Sequence, residues 1–547
     1  MAPLALVLTG CPSKEIDYRL SVVTQVCSAA VDPLAGVTHL SVRVLAADLQ
    51  SPLEATSAVS GGERKLTLPA ILPGKGRVLE VRGCAELPCT KSKTVSMGRT
   101  LPFDVPDVVP DPGAAPLNFT VFLRRVGAFT PPSAPSSPTT CASLRVARAG
   151  HTATLDRLGR VFIAGGFQTN SSGQREATPT TEFFDPLKGA FIDGPDLSLN
   201  AGGNLRSPRA FHTATLMPSS GAIVIWGGEN YVGSSLAVPL STALVFNPEA
   251  ALPEGADIST PSAFGIIAPR TDAGLGDGGS VPTARAHHAA AVDGAGRLVI
   301  IGGVARTGTV TSAVGQIEWL NFQSTGVSAE VGQGSLPRMG VSVAAVQDGG
   351  FIAVGGGTDG TTLADEITYL RFREGTYKVE PLASPTRLRT PRRSAGAGVW
   401  AKTNDFILVG GYGDVAQVSP LSNAEIIKTD ANQASDNRMA VGSRGDVCVA
   451  ALSDSALFAV GGRTADSPGS SPYADPTSTV LERDVRGNPV ASPGPTLDLS
   501  RWGHTCTTLG DGTVLIVGGV NEAKGSTTTP KERVIADVQI YQPLPKD

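Results

Sequence analysis

Seven arginines stand at a nearly fixed distance before seven pairs of glycines. The arginines are Arg148, Arg209, Arg285, Arg338, Arg393, Arg444 and Arg501, and the diglycines open at Gly165, Gly227, Gly302, Gly355, Gly410, Gly461 and Gly518. Six of the separations are 17 residues and the second is 18. A guanidinium is a planar fork of five donors matched to carboxylates and other anions. Seven of them on one face would make an anion site, and these seven are the ligand-binding candidates. The same fork also bridges carbonyls at strand ends, and strict repetition favours that scaffold role. His151, His212, His288 and His504 each follow their arginine by three residues. Catalytic histidines break the symmetry of a repeat and these obey it, so they too read as structural. Glu229, directly after a diglycine, and Glu522 are the carboxylates placed to act as a base.

Other chemistry is excluded more readily. No Cys-x-x-Cys is present, and the Gly/Asp-rich stretch with Asp272 and Asp277 lacks a calcium-loop spacing. No Gly-x-Gly-x-x-Gly opens a helix, so the diglycines do not read as a nucleotide cradle. The expectation is therefore no metal and no cofactor. With 45 basic and 49 acidic residues the formal charge is -4, which gives no electrostatic case for nucleic acid. Leu8-Thr9-Gly10-Cys11 after a short apolar run resembles a bacterial lipobox, which implies lipidation of Cys11 and an outer-membrane anchor. Of the six other cysteines, Cys84 and Cys89 flank a short loop and are disulfide candidates. The sequence does not set the other pairings.

The elements that position these residues are strands. Each arginine opens one apolar strand and each diglycine closes the next, so both lie at the same end of a hairpin. A third strand follows a variable loop, as in Phe183-Phe184-Asp185-Pro186 or Ala243-Leu244-Val245-Phe246. The long loops Phe167–Thr181, Gly228–Ser241, Arg463–Ser478 and Asn521–Arg533 emerge on the arginine face, where recognition is expected. Before the repeats, residues 13–124 alternate polar and apolar in the strand manner, as in Tyr18–Val23, Leu40–Leu45, Arg77–Arg82 and Leu117–Leu123.

Arg-x-x-His, an apolar strand, Gly-Gly, a loop and a closing aromatic strand resemble the kelch motif, with successive diglycines 51 to 75 residues apart. The resemblance implies an all-β chain: a seven-bladed kelch β-propeller over residues 125–547, preceded by a small Ig-like β-sandwich over 12–124 and a lipoprotein signal over 1–11. Gly127-Ala128-Phe129 matches Gly189-Ala190-Phe191, the outer strand of blade one. Residues 126–131 are therefore expected to complete blade seven, which lacks an outer strand of its own. The function expected is non-catalytic binding of a protein, peptide or glycan at the cell envelope, by a monomer anchored through lipid. The alternative is an extracytoplasmic enzyme, similar to sugar-acid mutarotases or to galactose-oxidase-like copper proteins. For the copper enzyme, Tyr412, Cys448 and His504 are the residues to examine. The two classes differ in one respect: a binding module keeps its channel groups repeat-symmetric, whereas an enzyme gathers a few asymmetric polar groups.

Overall fold

The computed structural model describes residues 18–545 except 25, 29–30, 60–66, 108–115, 135–136, 200–204, 233–235, 252–263, 268–269, 272–279, 324–325, 347–349, 381–386, 430–432, 523 and 525–531. Cys11, Asp272 and Asp277 lie outside the described residues. The chain divides into two compact units, Met1–Thr130 with Gly510–Gly512 and Gln542–Asp547, and Pro131–Leu509 with Thr513–Tyr541.

The first unit contains the strands that the alternation predicts. Tyr18–Val23 pairs in parallel with Leu117–Phe122. His39–Leu45 lies between Leu53–Ala58 and Gly74–Cys84, whose other edge pairs antiparallel with Thr94–Arg99. The residues pointing inward, among them Val42, Val44, Leu79, Val81 and Val121, share one core. Cys84 and Cys89 are joined in the expected disulfide.

In the second unit each repeat is an antiparallel blade: four strands in the first, second, fifth and sixth, four each in the third and fourth, whose sheets are joined by a parallel pairing of Gly326–Ser335 with Thr376–Glu380, and three in the seventh. The second strand of every blade is buried along its whole length: Val161–Ala164, Ile223–Trp226, Leu298–Ile301, Phe351–Val354, Asp405–Val409, Ala456–Val460 and Val514–Val517. Such a strand has a neighbouring blade on each face, which explains continuous apolar runs where a half-exposed strand would alternate. The cores accordingly lie between blades, as where Val161 and Ile163 of blade one meet Leu515 and Val517 of blade seven. First strands such as Thr152–Leu155, Thr213–Leu216 and Thr505–Thr508 are only partly buried along their length. They adjoin one another in cyclic order, blade one meeting blade seven.

Main-chain bonds between blades explain the spacing of the repeat. The second glycine of each pair donates its N–H to the carbonyl of the next blade's repeat arginine. The bonds run from Gly166 to Arg209 (2.8 Å), Gly228 to Arg285, Gly303 to Arg338, Gly356 to Arg392, Gly411 to Arg444 and Gly462 to Arg501. Gly519 to Arg148 (2.9 Å) closes the circle. The first glycine packs against the same carbonyl: a Cβ on Gly165 would lie 2.5 Å from the Arg209 oxygen, and the backbone there has φ +61°. Glycine is required on both counts.

Cys448 and Cys506, on the first strands of blades six and seven, are disulfide-bonded. Cys27 and Cys141 are also disulfide-bonded. The Cys448–Cys506 bond closes a loop of 58 residues, for which chain entropy assigns about 4 kcal/mol. Replacing both cysteines with serine is expected to lower the urea midpoint accordingly. An unchanged midpoint would show that the inter-blade bonds already hold this junction.

Candidate functional site

The repeat arginines belong to the scaffold. Arg148, Arg209, Arg285, Arg444 and Arg501 are at most 1 % exposed. Nη1 of Arg148, Arg209, Arg285 and Arg501 donates to the carbonyl of the first glycine of its own blade, at 2.7, 2.9, 3.0 and 3.1 Å. Arg444 instead donates to the Thr477 carbonyl and the Thr479 hydroxyl, and Arg338 to the Pro337 carbonyl. Several are also paired with a carboxylate: Arg148 with Glu182, Arg285 with Glu318 and Arg501 with Asp537. In blade five the expected residue is displaced by one. Arg392 fills the repeat position and donates to Gly410 O at 2.8 Å, whereas Arg393 lines an open cavity at the mouth of the channel. Of the seven candidates, the structure brings only Arg393 to that cavity.

The cavity, of about 860 Å³, is built on a position that the sequence does not advertise. The residue two places after each repeat arginine has left-handed backbone: Gly150, Phe211, His287, Gly340, Ser394, Asp446 and Gly503, with φ between +50° and +65°. This conformation turns the N–H sideways to the preceding blade. Phe211 donates to Gly150 O (2.7 Å), His287 to Phe211 O, Ser394 to Gly340 O and Asp446 to Ser394 O, while Gly150 donates to Gly503 O (2.8 Å). Left-handed backbone costs a non-glycine residue on the order of 1–2 kcal/mol. The chain nevertheless carries side chains at four of these positions, and all four line the cavity.

A second tier comes from the segments after the diglycines. The expected loops are short hairpins, among them Phe167–Thr169 with Arg175–Ala177, Glu229–Val232 with Leu236–Pro239, and Val304–Thr307 with Val310–Ala313. They place Arg175, Glu229, Tyr231, Arg306 and Arg463 at the cavity. Each hairpin is registered by a bridge next to the repeat arginine, such as Ala210 with Glu229 or Gly445 with Arg463. Glu522, the other carboxylate marked by the sequence, is buried and paired with Arg463 at 3.2 Å.

The polar groups do not follow the repeat. Tyr231 Oη donates to Glu229 Oε1 at 2.9 Å, and His287 Nε2 lies 3.7 Å from Glu229 Oε2. The His287 ring stacks on Phe211 with centroids 4.2 Å apart. Desolvation lowers the pKa of His287 against the opposing charges of Glu229 and Asp446. Burial raises the pKa of Asp446, outweighing the Tyr412 hydroxyl that donates to it at 2.9 Å and the nearby Arg463. Arg175 is held bidentate by Glu532 at 2.7 and 3.0 Å. Arg393 and Arg306 donate to the carbonyls of Val415 and Ala237, and neither has a carboxylate within ion-pair distance among the described residues. The polar groups that meet at the cavity are therefore asymmetric with respect to the repeat.

Three of the four repeat histidines are hydrogen-bonded to neighbouring blades, as the symmetry argument expects. Nε2 of His151, His212 and His288 lies 2.9–3.0 Å from the hydroxyls of Thr505, Thr152 and Thr213, each on the blade before. Burial, then the adjacent arginine, holds all four pKa values below 6.5, and that of His504 falls to about 3. The unfolded chain thus binds protons below pH 6.5 that the folded chain refuses, so stability falls with pH from about 6.5 downward. Thermal midpoints are expected to drop between pH 7 and pH 5, and His151→Gln with His212→Gln to flatten that slope. A slope unchanged in the double variant would contradict the assignment.

No family model and no curated protein matches the sequence. Among solved structures, a fungal alcohol oxidase of the AA5 family, described in complex with copper, aligns over 74% of this chain and 75% of its own, with TM-score 0.51 and 14% identity. YjhT aligns over 73% and 96%, with TM-score 0.41 and 11% identity. The fold is a β-propeller. Cys448 is bonded to Cys506, so it is not free to cross-link to a tyrosine, and Tyr412 is hydrogen-bonded to Asp446. His504 sits in its scaffold position, and no group of three His, Cys, Asp or Glu among the described residues could hold a metal. The donor set does not fit copper.

Proposed function

We propose that the mouth of this kelch-type propeller is an acid–base site for a small sugar acid, and that it interconverts the anomers of that sugar. One observation carries the reading: Arg306 and Arg393, without carboxylate partners among the described residues, share a cavity with Glu229, His287 and Asp446. The arginines take the ligand's carboxylate as a charge-assisted pair. Glu229, fixed by Tyr231, accepts the proton of the anomeric hydroxyl. The bond from the anomeric carbon to the ring oxygen breaks, and Asp446, its pKa raised by burial, protonates that oxygen. Reclosure on the other face of the carbonyl reverses both transfers and gives the second anomer, with no oxidant or reductant consumed.

The disulfides Cys84–Cys89 and Cys448–Cys506 support an oxidising compartment, and the lipobox-like Leu8–Cys11 supports a lipid anchor at the cell envelope. The test is exchange NMR on D-glucuronate and D-galacturonate at equilibrium. Added protein is expected to accelerate anomer exchange of at least one of them. Binding without acceleration would return the site to non-catalytic recognition, and neither binding nor acceleration would overturn the proposal.

A further inference from the structure

Three of the seven left-handed positions are glycines, and only two of them are explained by packing. A Cβ on Gly150 would lie 2.8 Å from the Phe211 ring, and one on Gly340 would lie 2.7 Å from Ser394 Oγ. Gly503 is different. A Cβ there meets nothing closer than 3.6 Å, in ordinary contact with Gly150 N and Ala149 Cβ. Its φ of +63° is no more demanding than the +50° to +52° at which Ser394, Asp446, Phe211 and His287 carry side chains. The positive φ favours glycine here as at the other left-handed positions, but no neighbouring atom excludes a Cβ, and the residue lines the cavity.

Its surroundings indicate what the space receives. Trp502, also in the lining, has the Arg463 guanidinium 4.6 Å and the Arg175 guanidinium 5.7 Å from its ring. Each of these arginines is already matched to a glutamate, Arg463 to Glu522 and Arg175 to Glu532. A wall of matched ion pairs around an indole presents little net charge but many hydrogen-bonding atoms beside an apolar edge. That suits an uncharged hydroxyl-bearing portion of a ligand, whereas Arg306 and Arg393, on blades three and five, suit its carboxylate.

We propose that Gly503 is a specificity-determining position, whose missing side chain leaves the blade-seven sector of the mouth open to the hydroxyl-bearing part of a sugar acid. The inference rests on the reading of the mouth as a sugar-acid site. Asparagine tolerates left-handed backbone, so the substitution Gly503→Asn would project a side chain into this sector without breaking the turn.

The experiment is calorimetric titration of D-glucuronate, and of a uronic-acid disaccharide, into wild type, Gly503→Ala, Gly503→Asn and Glu229→Gln, with a thermal melt of each. Gly503→Asn is expected to weaken binding at least tenfold with its melting point near wild type, and Gly503→Ala to weaken it less, with the larger loss for the disaccharide. Affinity unchanged in a folded Gly503→Asn overturns the inference while leaving the sugar-acid reading intact. If Gly503→Asn does not fold, unchanged affinity in Gly503→Ala for both sugars overturns it. If wild type binds neither probe, the sugar-acid reading itself fails and takes this inference with it.

Discussion

Glu229→Gln is expected to leave sugar-acid affinity close to wild type and to slow anomer exchange by a factor of about 10²–10⁴, the range supplied by one positioned general base. The substitution keeps the shape of the side chain and an oxygen able to accept the Tyr231 hydroxyl, which now lies 2.9 Å away. It removes only the ability to take a proton. Tyr231→Phe is expected to cost less, because it loosens Glu229 without neutralising it. Asp446→Asn removes the acid and is expected to slow the reaction while Arg306 and Arg393 still hold the carboxylate. Exchange NMR with saturating ligand gives the rate, and calorimetry gives the affinity separately. A Glu229→Gln protein that exchanges anomers at the wild-type rate would remove Glu229 from the chemistry.

The second large effect separates the two kinds of arginine. Arg285 and Glu318 have fully buried side chains and are 3.1 Å apart. Glu318 also accepts from the Thr283 amide and hydroxyl at 2.7 and 2.8 Å. Arg285→Met strands that carboxylate in the interior and breaks the bond to Gly302 O, and is expected to cost about 3–5 kcal/mol. Arg285→Lys is not expected to rescue it, since an ammonium cannot reproduce the planar fork. Arg393→Met should instead leave stability within about 1 kcal/mol, because Arg393 has no ion-pair partner among the described residues, and should weaken sugar-acid binding at least tenfold. Denaturant melts and calorimetry on the two variants provide the comparison. Equal losses of stability would erase the distinction between scaffold and site.

The sequence makes the scaffold legible because the scaffold repeats. The second strands, the diglycines and the four histidines occupy equivalent places in their blades, and Glu229 stood out as a carboxylate directly after a diglycine. Blade five was misread because Arg392 and Arg393 are adjacent and the separation of 17 selected the wrong one. The separation of 18 in blade two was the available warning. The left-handed positions were missed for a physical reason: a phenylalanine, histidine, serine or aspartate with positive φ carries no mark in sequence. The signal lay in their equivalents, since Arg148, Arg338 and Arg501 are each followed two residues later by glycine. The acid–base cluster was unreadable because its members come from different blades and hairpins, tens to hundreds of residues apart.

The circle of glycine-to-arginine main-chain bonds has a thermodynamic consequence. An open stack of repeats can fray from either end, each terminal unit leaving with a single interface. Here Gly519 returns to Arg148, so there is no terminal unit, and detaching any blade breaks two junctions at once. Melting of the ring should accordingly be a single cooperative event, and damage to one blade should be felt as a lowered transition for all seven.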